Sequence, residues 1–138
     1  MKAVKINMTE AKTSKSVKAI ILGVLLSFGV IFFVTIVLAL FLNVAGSLFE
    51  EIAGYLLLLP LSCGGYIGGY TSARIKGSNG MITGLICSLA VFIILLILGL
   101  SIFNTNITYM LLLKGIALIL PALIGGVKGV NKKEKFKI

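Results

Sequence analysis

The chain has 138 residues, is 59% hydrophobic and only 12% charged, and has a mean hydropathy of +1.15, values outside the range of a soluble domain of this length. Its formal charge is +9, and it contains no His. That excludes His-based zinc sites and Ser-His-Asp triads at once, and it directs attention to a membrane.

Residues 1–16 are polar and Lys-rich with no apolar period, and read as a mobile basic tail. Four apolar stretches follow, each long enough for the roughly 20 residues a bilayer crossing needs. They run from Val17 to Leu42, Ile52 to Ala73, Gly80 to Phe103 and Ile107 to Val130. Only Lys18, Lys114 and Lys128 bring charge into these stretches, and none has the polar face that a soluble core helix needs. The first apolar run is too long for a signal-peptide core of about 7–15 residues, so it reads as a retained span.

The first span carries Gly23 and Ser27 one helical turn apart, a small-residue notch in its first half. Its second half is bulky, with Phe32, Phe33 and Phe41. The link Asn43–Glu51 holds Glu50 and Glu51, the only acids away from the ends of the chain. In the second span Pro60 removes a backbone donor and crowds the Leu56 carbonyl, which predicts a kink. Pro60, Gly64 and Gly68 form one stripe, and Gly65 and Gly69 form the next. Small residues at this spacing let a neighbouring helix approach backbone to backbone. In Lys76-Gly77-Ser78-Asn79-Gly80, Gly77 suits the position after a helix end and Ser78 or Asn79 suits an N-cap. The third span repeats the notch as Gly80, Gly84 and Ser88, and the fourth carries Pro121, Gly125, Gly126 and Gly129.

These features recur because the chain is duplicated. Leu59-Pro60-Leu61-Ser62-Cys63-Gly64-Gly65-Tyr66-Ile67-Gly68 and Leu120-Pro121-Ala122-Leu123-Ile124-Gly125-Gly126-Val127-Lys128-Gly129 both read L-P-x-x-x-G-G-x-x-G, 61 residues apart. At that offset, 13 of 56 positions from Ser16 to Thr71 are identical without a gap, and eight of them are Gly, Pro, Ser or Asn. Matches by composition alone would be mostly Leu, Ile and Val, so the pattern reads as two helical hairpins, about 16–73 and 77–130.

Charge gives the orientation. Twelve of the 13 cations fall before the first span, between spans two and three, or at the end of the chain, where residues 131–138 form a second basic tail. By the positive-inside rule that side is cytoplasmic and both termini are inside. The expected fold is all-α: a polytopic plasma-membrane protein with four transmembrane helices in two parallel-repeat hairpins, related by a pseudo-two-fold axis along the membrane normal. Because every notch lies in a cytoplasmic half, the bundle should be tightest there, which argues against a permanently open pore.

Gly64-Gly65-Tyr66-Ile67-Gly68-Gly69-Tyr70, followed by Ala73-Arg74, Gly77 and Gly80, resembles the YrzE-like family of uncharacterised small four-span membrane proteins of Gram-positive bacteria. The resemblance covers about residues 15–130. It implies the same topology and a bacterial plasma membrane, and it implies no activity.

Chemistry has few residues to work with. Glu50 and Glu51 are neighbours, so on a helix they diverge by about 100°. No Gly-rich run joins a strand to a helix, so nucleotide loops are absent. Cys63 and Cys87, counted from the central link, are expected at similar depth as buried thiols rather than as a redox or metal pair. No catalytic residue, cofactor or metal is expected. Lys114 is the unusual charge, about 10 Å inside the outer boundary. It either snorkels to the outer interface or marks a site or pathway. Extended outward, it is expected to meet Glu50 or Glu51. The expected partners are the bilayer, anionic lipids at the basic tails, and another copy or another membrane protein, but not nucleic acid. Two functions follow: a structural or accessory helix-packing protein, or a small oligomeric transporter or channel subunit using the repeat and Lys114.

Overall fold

A computed structural model of the chain describes residues 2–46, 50–103 and 109–135, all of them helix or short turn. The helices are α1 (Lys2–Ala45), α2 (Glu50–Leu56), α3 (Leu58–Lys76), α4 (Gly80–Phe103) and α5 (Tyr109–Lys135). Four segments are long and apolar enough to cross a membrane, and α2 and α3 together make the second of them.

The first expectation to be corrected is the tail. Residues 2–16 are helical and continue directly into α1, whose 44 residues extend about 66 Å, longer than a bilayer is thick. The reason is local. Eight of its 15 residues are Lys, Ala, Met or Glu, all good helix formers, and it propagates from a helix already nucleated by the span. Thr9 and Thr13 hydroxyls bond back to the carbonyls of Lys5 and Thr9 at 2.7 and 2.8 Å, so even its polar residues suit a helix.

The break between α2 and α3 falls at Leu57, three residues before Pro60. Pro60 cannot donate to Leu56, and the ladder is interrupted there, as expected for an internal proline. Pro121 by contrast lies within an unbroken α5. The turn between α3 and α4 follows the sequence closely. Gly77 has φ 72° and ψ 10°, and its N–H donates to the Ala73 carbonyl at 2.8 Å, a left-handed helix end. Asn79 precedes α4 with φ 47°, which Asn tolerates, and its carbonyl accepts from the Thr83 N–H at 3.0 Å.

α3 is the central helix. It packs against α5, α1 and α4, and the α3–α5 interface is the most extensive in the molecule. α1 runs antiparallel to α3: Gly23 lies against Gly68 and Ser72, and Gly64 lies against Ser27 and Ile31. α5 runs parallel to α3: Gly65 meets Leu118, Gly69 meets Ala122, and Gly129 meets Tyr70. The start of α1, the end of α3, the start of α4 and the end of α5 therefore share one end of the bundle. Among the described residues, every Lys and Arg except Lys114 lies on the helix segments that meet there.

Burial is concentrated toward that basic end. On α1 the buried residues are Ala19, Gly23 and Ser27, and none of the described residues beyond Ser27 is buried. Phe32 is 72% exposed, Phe41 67% and Val44 90%, an apolar surface suited to lipid and not to water.

The contacts do not follow the 61-residue repeat. In a two-fold arrangement α1 would meet α5 as α4 meets α3, yet α3 and α4 share an interface while α1 and α5 share none of comparable size. The two copies also use their stripes differently. In α3, Gly64 and Gly68 face α1 while Gly65 and Gly69 face α5. In α5, Gly125 and Gly129 face α3 while Gly126 faces α4. The diverged positions give a reason. Ala122 stands where the first copy has Leu61, and Val130 where it has Gly69. The close-packing surface of α5 is thereby moved toward its start, and α5 meets α3 in a shifted register.

Candidate functional site

The close-packed surfaces are built from glycine backbones approaching carbonyls. A Cβ on Gly69 would stand 2.9 Å from the Ala122 Cα, one on Gly84 2.5 Å from the Ala122 oxygen, and one on Gly129 2.5 Å from the Tyr70 oxygen. The glycine hydrogen in that direction points at the carbonyl, so each approach is also a Cα–H···O contact. Ala122 is fully buried, and its carbonyl receives glycines from both α3 and α4. Gly80 and Gly126 approach each other in the same way beside Val130. Of the remaining small residues singled out by spacing, Pro60, Ser27 and Ser88 are buried and Pro121 is half-buried.

The buried hydroxyls are occupied locally. Ser27 donates to the Gly23 carbonyl at 2.9 Å, Ser72 to Gly69 at 3.1 Å and Ser88 to Leu85 at 2.9 Å. Among the described residues no buried side-chain nitrogen or oxygen lacks a partner, and no cluster of metal-ligating side chains is found. The Ser62 hydroxyl reaches between helices: it donates to its own Leu58 carbonyl at 2.9 Å and to Ala117 on α5 at 3.1 Å.

The thiols are not at one level. Cys87 is buried beside Ser27, Ser72 and Gly23, whereas Cys63 is exposed on α3, nine residues or about 13 Å from Ser72 along the helix. The expected burial of Cys63 and its similar depth to Cys87 are both corrected. Cys63 falls on the face of α3 flanking the buried Gly64, and α4 packs nearer the α3–α4 turn.

Lys114 is half-buried and Glu51 is exposed; the Glu50 side chain lies outside the described residues. Gly54 of α2 lies against Met110 of α5, with its Cβ direction 3.4 Å from the Met110 Cε. In that register Lys114 stands about seven residues, roughly 10 Å, deeper than Glu51. The repeat offset would separate the levels by little more than half a turn.

Several surface recesses among the described residues lie at the basic end. One is lined by Lys12, Lys15, Lys76 and Ser78 with Thr9, Thr13 and Ser16, between the start of α1 and the α3–α4 turn. Another, of about 500 Å³, lies between α3 and α5 and is lined by Tyr66, Tyr70, Lys128, Asn131 and Lys132. Its residues were missed by spacing analysis. Each helix shows its own signal, a Tyr pair and a Lys pair four residues apart, but their meeting depends on the α3–α5 register. Gly125 and Gly129 bring the α5 backbone onto the Tyr66 and Tyr70 carbonyls, and this sets Lys128 and Lys132 beside the rings. The Tyr66 and Tyr70 rings stack with centroids 6.4 Å apart at 14°, and the Lys128 Nζ lies 5.9 Å from the Tyr66 centroid, within cation–π range.

No family model, curated protein or solved structure matches this chain.

Proposed function

We propose that the chain is a plasma-membrane protein with both termini cytoplasmic, acting as a structural or accessory helix-packing component of a membrane assembly. The observation that supports this most is the packing of α3 on α5, where glycines from each helix meet carbonyls of the other. Two helices in backbone contact leave no passage between them, and the interior presents no unpaired polar group among the described residues. The exposed apolar half of α1 is the surface available to lipid, to a second copy or to another membrane protein. The duplicated hairpin and the YrzE-like family membership belong to the same reading, supported by the shared L-P-x-x-x-G-G-x-x-G stretches and by Gly64–Tyr70.

A photo-crosslinker replacing Phe33 in native membranes is expected to trap a membrane protein, either this chain or a partner; capture of lipid alone would overturn the accessory role. The second reading, a transporter or channel subunit, rests on Lys114, a half-buried cation within a span. Solute or ion flux through reconstituted vesicles distinguishes them: the accessory reading expects none above protein-free vesicles, and flux abolished by Lys114→Leu would establish the other.

A further inference from the structure

The cleft between α3 and α5 joins three features. Its charge is of one sign: Lys128 and Lys132 line it, and none of its five lining residues is acidic. Its other polar groups, the Tyr66 and Tyr70 hydroxyls and the Asn131 amide, can all donate hydrogen bonds. The face of the Tyr66 ring is already taken by the Lys128 ammonium, so the rings do not serve as a cage for a second cation. A recess with two ammonium groups and neutral donors around it is complementary to an anion with several acceptor oxygens, such as a phosphate group.

What lies next to the cleft selects the source of that phosphate. Along α5, Leu120 and Ile124 precede Lys128 and Lys132 at four-residue spacing, and both are 56% exposed. Exposed aliphatic side chains of α5 thus come one and two turns before Lys128, toward the middle of the helix and outside the cleft's own lining. A soluble phosphate compound has no use for the aliphatic part. A phospholipid fits both parts, with its acyl chain along Leu120 and Ile124 and its headgroup between the lysines and tyrosines. Tyr70 stands six residues, about 9 Å, before the end of α3, a depth at which tyrosines sit near a membrane interface.

We propose that Tyr66, Tyr70, Lys128, Asn131 and Lys132 form a binding site for the phosphate headgroup of an anionic phospholipid in the leaflet at the basic end. This rests on the membrane reading above and adds a defined site to the diffuse attraction of the lysine-rich ends. Lys128 and Lys132 supply charge, Asn131 and the tyrosine hydroxyls supply directed donors, and the stacked rings hold Lys128 in place. Zwitterionic lipid is disfavoured because its cationic group would meet two lysines.

The test uses the full chain in detergent and in bilayer discs. Retention of phosphatidylglycerol is measured by native mass spectrometry and by the rise in melting temperature on adding that lipid, with phosphatidylcholine as reference. The wild type is expected to retain phosphatidylglycerol selectively. Lys128→Gln with Lys132→Gln should weaken retention about thirtyfold, the product of two interfacial lysines. Lys12→Gln with Lys15→Gln removes the same charge from another part of the basic end and should weaken it much less. Equal loss in both double variants overturns the site in favour of diffuse charge attraction, and undiminished binding in the first overturns it outright. Displacement of the lipid by glycerol phosphate at equal concentration overturns the lipid source and makes a free phosphate compound the ligand. Failure of the membrane reading itself appears separately, as release of the protein from membranes by alkaline carbonate.

Discussion

The Ser62 hydroxyl lies 3.1 Å from the Ala117 carbonyl, the acceptor that Pro121 leaves without a backbone donor. In an unbroken helix the N–H of residue 121 would serve Ala117, and proline has none. Ser62, reaching over from α3, fills that place while still bonding to Leu58 at 2.9 Å. The repeat partner of Ser62 is Leu123, which cannot do the same for Leu56, and the first copy is interrupted at Leu57. Ser62→Ala should therefore lower stability by about 0.6–2 kcal/mol, the range of interhelical hydrogen bonds in membranes. In a Pro121→Ala background, where the backbone donor returns, the same change should cost much less. Thermal melts of the four proteins check this, and additive costs would show that the two residues act independently.

Glycine substitutions should divide by place. Gly69→Ala would drive a methyl group to 2.9 Å from the Ala122 Cα, and overpacking of about 1–3 kcal/mol should exceed the gain in helix propensity of about 1 kcal/mol. Gly64→Leu, Gly68→Leu and Gly125→Leu should be at least as damaging. Gly99→Ala, with nothing within 4 Å of its Cβ direction, should be neutral or stabilising. Melting temperatures in one detergent give the comparison. A Gly69→Ala protein as stable as Gly99→Ala would remove the close-packing account of α3 and α5.

The proposed topology predicts a labelling pattern. In a variant lacking Cys63 and Cys87, a membrane-impermeant thiol reagent applied to intact cells should modify Ser47→Cys and Thr105→Cys. It should leave Lys12→Cys, Gly77→Cys and Lys133→Cys untouched until the cells are opened. Modification of Gly77→Cys from outside would overturn the four-span arrangement.

Lys114 and Glu51 should behave as independent residues. The Gly54–Met110 contact sets their backbones about 10 Å apart in depth, so a direct ion pair would need both side chains fully extended toward each other. Lys114→Leu and Glu51→Gln should therefore add to within about 0.5 kcal/mol in a double-mutant cycle. Coupling above about 1 kcal/mol would bring the two together and restore an ion pair at the end opposite the basic one. A parallel cycle with Glu50→Gln tests the other acid, the second member of the pairing inferred from the sequence.

Composition and spacing alone determined the all-helical class, the four apolar segments, the left-handed Gly77 and the small residues that pack. These are local properties: an apolar run of bilayer length has few alternatives to a helix, and a residue with φ 72° after a helix end favours glycine whatever surrounds it. The tail was misread for an equally local reason, since the absence of an apolar period says nothing against a helix that extends from its neighbour. What only the tertiary structure decided is which stripe faces which helix and in what register. Gly64 and Gly65, adjacent in sequence, serve α1 and α5 respectively, while their duplicates Gly125 and Gly126 serve α3 and α4. A glycine stripe permits close approach along its whole length, so it does not select one register by itself. That choice is made by Ala122, Val130, Ser62 and the other positions where the copies diverged, acting together. On it depends the meeting of Tyr66 and Tyr70 with Lys128 and Lys132, which the two helices display separately and only their packing joins.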